Sequence, residues 1–116
     1  MHELSVCQNL VQQLEDIATQ HHAQSVSLVR IRIGPLSGIE PQLLAQAFPL
    51  ASAGSIAEGA TLHTEVLPIK IRCQTCGHEG EAQPNRLLCS ACGDWHTQLI
   101  SGDEMLLASV ELNHAV

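Results

Sequence analysis

Ile71-Arg72-Cys73-Gln74-Thr75-Cys76-Gly77-His78, followed after a short interval by Leu88-Cys89-Ser90-Ala91-Cys92-Gly93, is the stretch on which the fold turns. Two residues between cysteines let one tight turn aim both sulfurs at a common point. Two such turns facing each other make a tetrahedral cage of four sulfurs, which suits zinc. The twelve residues from Gly77 to Leu88 between the pairs are slightly fewer than usual and fit a short zinc ribbon. Cys73, Cys76, Cys89 and Cys92 are therefore the candidate ligands of a structural zinc. A thioredoxin-type redox pair would need only one such motif, opening a helix after a strand. Two disulfides would need an oxidising compartment.

On either side of the cysteines lie strand patterns. Leu62 to Ile71 reads as one long strand running into Cys73, with Pro68 marking an edge position or a change of direction. Beyond the second pair, Glu104 to Leu112 reads as a strand with Leu106, Ala108, Val110 and Leu112 on one face. The cysteine module is then an insertion between two strands expected to be sheet neighbours. Further upstream, Val26 to Ile33 alternates, with Val29, Ile31 and Ile33 on one face and Arg30 and Arg32 on the other.

Glu3 to about His21 carries a helical stripe of Leu4, Cys7, Val11, Leu14 and Ala18, widened by Leu10 and Ile17. Cys7 lies on that stripe and reads as a small core residue. Gly34-Pro35-Leu36-Ser37-Gly38 is a turn, and Pro41 opens a second helix in which Pro49 predicts a kink or an early stop. The expectation is an α+β fold, two helices packed on a three-stranded sheet with an inserted small zinc-ribbon domain. Residues 1–69 and 101–116 would make the layered domain and residues 70–100 the ribbon.

Composition excludes some functions. Phe48 and Trp95 are the whole aromatic complement, so the core must come from Leu, Ile, Val and Ala. The formal charge is −7, and only Arg30, Arg32, Lys70, Arg72 and Arg86 are basic. That balance argues against a nucleic-acid ribbon, which needs clustered Lys and Arg with stacking aromatics. Met-His-Glu-Leu has neither a basic nor an apolar leader, and no apolar run spans a bilayer, so a cytoplasmic protein with reduced thiols is expected.

The amino terminus offers a second kind of metal chemistry. The Met1 amine and the His2 amide close a five-membered chelate ring, and the His2 amide with its Nδ1 closes a six-membered one. Adjacent planar rings favour a square-planar ion able to displace an amide proton, which describes Ni(II) or Cu(II) rather than zinc. Glu3 supplies a further amide and, in the first helical turn, a carboxylate that can neutralise the ion.

Several stretches match one family together: Met1-His2-Glu3-Leu4-Ser5, Gly34 with Ser37, Glu40-Pro41, Glu58-Gly59-Ala60, the two Cys-x-x-Cys pairs, and Gly102-Asp103-Glu104-Met105. In that order, along the whole chain, they resemble the HypA/HybF family of hydrogenase maturation nickel metallochaperones. The resemblance implies a carrier rather than an enzyme, with Ni(II) at Met1, His2 and Glu3 and a separate zinc on the four cysteines. Glu40 falls near the nickel end, where the family often has a polar or acidic residue; its plainer reading is a helix N-cap. The implied partners are a HypB-type GTPase and the NiFe-hydrogenase large-subunit precursor, with urease maturation proteins in some relatives. Some relatives carry a histidine beside each cysteine pair that exchanges for thiolate as pH falls. His78 fits the first such place, Gly93 occupies the second, and His96 reads as a solvated loop residue. The alternative reading is a zinc-ribbon protein-interaction module with no physiological nickel.

Overall fold

A computed structural model of the chain describes residues 3–114. Helix α1 spans Glu3–Gln20 and strand β1 spans Ser25–Ile33. Helix α2 covers Pro41–Ser52, and strands β2 and β3 cover Thr61–Val66 and Ile69–Cys73. The remaining strands are β4 (Glu79–Ala82), β5 (Thr97–Ser101) and β6 (Met105–Asn113). They form two sheets of three strands, ordered β2-β1-β6 and β4-β3-β5, in a molecule 57 × 25 × 16 Å in extent.

The layered part follows from the apolar pattern. Val6, Cys7, Leu10, Val11, Leu14 and Ala18 of α1 are buried, as are Leu44 and Phe48 of α2. They meet Val26, Val29, Ile31 and Ile33 of β1 in one core. Leu4, expected on the α1 stripe, is instead 44 % exposed, and Val6 takes the buried position. The two helices run in the same direction. The Cys7 thiol reaches the Leu44 carbonyl at 3.6 Å, and the Glu15 carboxylate accepts from the Ile56 N–H beyond the end of α2. The first turns of α1 and α2 therefore lie at one end of the layer.

The connection β1-α2-β2 is a crossover joining parallel strands, with Val29 opposite Leu62 and Ile33 opposite Val66. This corrects one expectation. The strands that flank the insertion are not neighbours, because β1 lies between β2 and β6. The crossover returns the chain to one edge of β1, so the other edge is left for β6. The expected long strand from Leu62 to Ile71 is likewise two strands in different sheets. Pro68, which has no N–H to donate to a ladder, sits in the gap between them.

Two irregularities explain the side-chain facing. In β1 the pairing slips between Val26 and Leu28, so Val26 and Val29 both face inward although three residues apart. In the pairing of β6, Arg30 faces Ser109 but Ile31 faces Leu107, leaving Ala108 as the extra residue. Leu106 and Ala108, expected inward with Val110 and Leu112, are therefore exposed, while Met105 and Leu107 pack on the core. Pro49 does not stop α2, which continues to Ser52. Pro49 and Ala45 are both exposed, so the carbonyl left without its helical donor is on the solvent side.

The ribbon joins the layer at a close crossing of two glycines. Gly34 donates its N–H to the Glu104 carbonyl at 2.7 Å, and Leu36 donates to the Gly102 carbonyl at 2.8 Å. A Cβ on Gly34 would fall 2.1 Å from the Gly102 oxygen, and Gly102 itself has φ 121°. No other residue fits there without moving the backbone.

Candidate metal centre

The ribbon carries its cysteines in two turns, one between β3 and β4 and the other in the connection from β4 to β5. Cys73 closes β3, and the turn that follows it brings the chain back as β4. In this turn the Gly77 N–H donates to the Cys73 carbonyl at 3.0 Å, and the Cys73 N–H donates to the His78 carbonyl at 2.8 Å. The second turn repeats the pattern: Gly93 donates to the Cys89 carbonyl at 2.9 Å and Cys89 to the Asp94 carbonyl at 2.9 Å. Gly77 and Gly93 have φ of 78° and 77°, the left-handed conformation that closes each turn behind its second cysteine. The turns are thus two copies of one structure.

All four sulfurs lie within 4.8 Å of one another. Cys73 and Cys92 are 3.6 Å apart, and Cys76 and Cys89 are 3.5 Å apart. Four zinc–sulfur bonds of about 2.3 Å at tetrahedral angles require sulfur separations of about 3.8 Å, so the cage fits zinc with little adjustment. Among the described residues this is the one group of three or more His, Cys, Asp or Glu close enough to share an ion. Cys7 stands apart, fully buried in the layered core, where burial first and the Glu3 charge second push its thiol up.

Backbone N–H groups favour the thiolate form of the first cysteine of each pair. Cys89 Sγ accepts the N–H groups of Cys92 and Ala91, each at 3.4 Å, and its pKa falls to about 6 against the cost of burial. Cys73 is lowered in the same way, first by the Cys76 N–H. The second cysteines go the other way. At Cys92 the Asp94 N–H pulls the thiol down, but the Cys73 sulfur, burial and the remaining thiols outweigh it and raise the value to about 12. At Cys76 the His78 N–H is similarly outweighed by the Cys89 sulfur, burial and Cys73. Zinc takes its cysteines as thiolates and so competes with protons at the cage, which therefore holds metal more tightly as pH rises.

Neither histidine near the cage is turned toward it as part of the sulfur group. His78 Nε2 lies 3.1 Å from the Ser90 hydroxyl. His96 Nδ1 lies 2.7 Å from Asp94 Oδ1, and its ring stacks on Trp95 with centroids 3.8 Å apart. Asp94 was not singled out by sequence reading. Its carboxylate accepts from the Thr75 hydroxyl and from the His96 N–H, and these bonds, Thr75 first, hold it well below the usual carboxylate range. A Gly-Asp step directly after a cysteine pair favours an Asx turn, here closed by the His96 N–H on the carboxylate, and was the available signal.

Of the proposed nickel donors, Met1 and His2 lie outside the described residues. Glu3 opens α1. Glu40 occupies the N-cap position of α2 by its backbone, but its side chain makes no capping hydrogen bond. Because the helices start together, Glu3 and Glu40 belong to the same end of the layer, while the four sulfurs belong to the other sheet.

These features define a small α+β metalloprotein carrying a four-cysteine ribbon suited to zinc. Residues 1–112 match the family described as hydrogenase/urease nickel incorporation, metallochaperone, HypA. The chain is 49 % identical to the hydrogenase maturation factor HypA of Nitrosospira multiformis and 46 % identical to that of Aquifex aeolicus, in each case over 97 % of both chains. The solution structure of the nickel metallochaperone HypA from Helicobacter pylori is similar with a TM-score of 0.73 and 25 % identity, covering 99 % of this chain and 100 % of that one. A second HypA solution structure gives a TM-score of 0.74 at 26 % identity, over 97 % of this chain and 96 % of that one. The chain belongs to the HypA family of nickel-incorporation metallochaperones.

Proposed function

We propose that this chain carries Ni(II) on its amino terminus and delivers it to the NiFe-hydrogenase large-subunit precursor together with a HypB-type GTPase. Cys73, Cys76, Cys89 and Cys92 hold a zinc that stays in place. The observation that carries this reading is the gathering of those four sulfurs into one cage, with Cys7 buried in the layered core. Every thiol is then already engaged, and a transferable ion needs donors elsewhere. The Met1 amine, the His2 imidazole and amide, and the Glu3 amide supply them. The amine and imidazole compete with protons near neutral pH, which lets donors be exchanged one at a time during transfer.

The layered domain of residues 1–69 and 101–116 is thus the nickel-handling part and residues 70–100 the zinc-holding part. Glu40 is a candidate for steering the ion, since its carboxylate makes no cap and is at the same end as Glu3. The protein acts as a carrier and not a catalyst, in the cytoplasm where its hydrogenase client is assembled. Delivery to urease maturation proteins is a further route, in keeping with the family description. Among the described residues no helix is long and apolar enough to cross a membrane.

Isothermal titration of Ni(II) into zinc-loaded protein tests the proposal. His2→Ala, or one residue added before Met1, should abolish nickel binding while zinc remains at one ion per chain. Unchanged nickel affinity in both variants would defeat the assignment. A plain zinc-ribbon interaction module would bind no nickel in the native form either.

A further inference from the structure

The two cysteine turns are tied to each other by bonds that do not involve sulfur. The residue five places after the first cysteine is His78 in one turn and Asp94 in the other, and both occupy the same point of the backbone pattern. Each reaches across to a hydroxyl of the opposite turn. Asp94 Oδ2 accepts from Thr75 Oγ1, and His78 Nε2 meets Ser90 Oγ at 3.1 Å. A third tie, from the Gln74 N–H to the His96 carbonyl at 2.8 Å, runs beside the first.

Asp94 is the most heavily used member. One carboxylate oxygen accepts from the His96 N–H at 3.0 Å and meets its Nδ1 at 2.7 Å, which fixes the carboxylate within its own turn. The other oxygen is left for Thr75. Beneath these bonds the ribbon sheet buries only Ile69 and Ile71 besides Cys73 and Cys89. With so little apolar packing, the separation of the two turns depends on the ion and on these ties. A site whose halves are already held apart at the right distance loses less freedom when the ion binds, and it binds more tightly for that reason. Thr75 and Asp94 also turn their backbone N–H groups to the Cys73 and Cys92 sulfurs, so the bond between their side chains steadies outer partners of the ligands, a class typically worth about 10–100-fold in affinity.

We propose that Asp94, acting through Thr75, is a positioning residue that sets how tightly and how long the ribbon keeps its zinc. The inference rests on the assignment of the four cysteines as zinc ligands. It assigns a job to a pair of side chains outside the cage, and it distinguishes the cross-turn bond from the bonds Asp94 makes within its own turn.

The test uses the full-length zinc-loaded protein and competition with a chromophoric chelator. Thr75→Val keeps the side-chain shape and removes only the hydroxyl, so zinc affinity should fall about 10–100-fold. Thr75→Ser restores the hydroxyl and should recover most of the loss. In an Asp94→Ala background, Thr75→Val should cost nothing more, since its partner is already gone. The cobalt-substituted variants should all give the same ligand-field bands, because the same four thiolates surround the ion. Native zinc affinity in Thr75→Val would overturn the proposal, as would equal losses from Thr75→Val with and without Asp94. Failure of the underlying ligand assignment reads differently: Cys76→Ser would then leave zinc affinity untouched in an otherwise native chain.

Discussion

The β2-β1-β6 layer buries a continuous aliphatic core under two helices, whereas the β4-β3-β5 ribbon buries little besides Ile69, Ile71 and two of its four sulfurs. Both are three-stranded sheets in which the first strand in sequence is the central one, paired to both edges. The difference lies in what opposes the loss of chain entropy. In the layer it is apolar area removed from water, in the ribbon an ion and the bonds around it. Under the proposed function the separation has a use, because a part that gives up a metal must not depend on that metal to stay folded.

The contrast is broken most severely by removing zinc. A strong chelator, or Cys73→Ser, should unfold the ribbon of residues 70–100 while α1, α2 and the β2-β1-β6 sheet stay intact. Amide hydrogen exchange checks this directly: protection should vanish at Ile71 and Leu99 and persist at Val29 and Ile31. Loss of protection in both sheets together would mean that the two are one cooperative unit.

The converse perturbation is smaller. Leu14→Ala empties a fully buried position of the layer and should cost about 2–5 kcal/mol, measured by urea unfolding, with zinc content unchanged at one per chain. Smallest of the set is an improvement. His22 stands in the left-handed region at the end of α1, φ 54°, where the Ala23 N–H returns to the Ala18 carbonyl at 2.8 Å. This is the position helices usually give to glycine. His22→Gly should raise the stability of the layer by about 1 kcal/mol and leave the ribbon as it was.

What could be read from sequence divides along the same line. The cage was legible because two-residue spacing with a glycine behind each pair leaves the sulfurs few places to go. The alternation of Val29, Ile31 and Ile33 was legible because one face of β1 is buried throughout. The partners of β1 were not, since a crossover between parallel strands leaves no local mark, and so the neighbours of the insertion were misjudged. The facing of Leu106 and Leu107 turned on one extra residue at Ala108, which hydrophobic alternation alone does not reveal. Val6 displaced Leu4 because the stripe of α1 is set by the direction from which α2 and β1 approach. At the cage, the ligands were evident but Thr75 and Asp94 were not, because a bond between two turns is a property of their pairing.

X-ray absorption at the nickel edge of protein loaded with one Ni(II) and one zinc is the most direct test of the division of labour. The account predicts nickel surrounded by nitrogen and oxygen in a planar arrangement, with imidazole scattering that disappears in His2→Ala. Nickel–sulfur scattering, with the His2 imidazole still free, would contradict it.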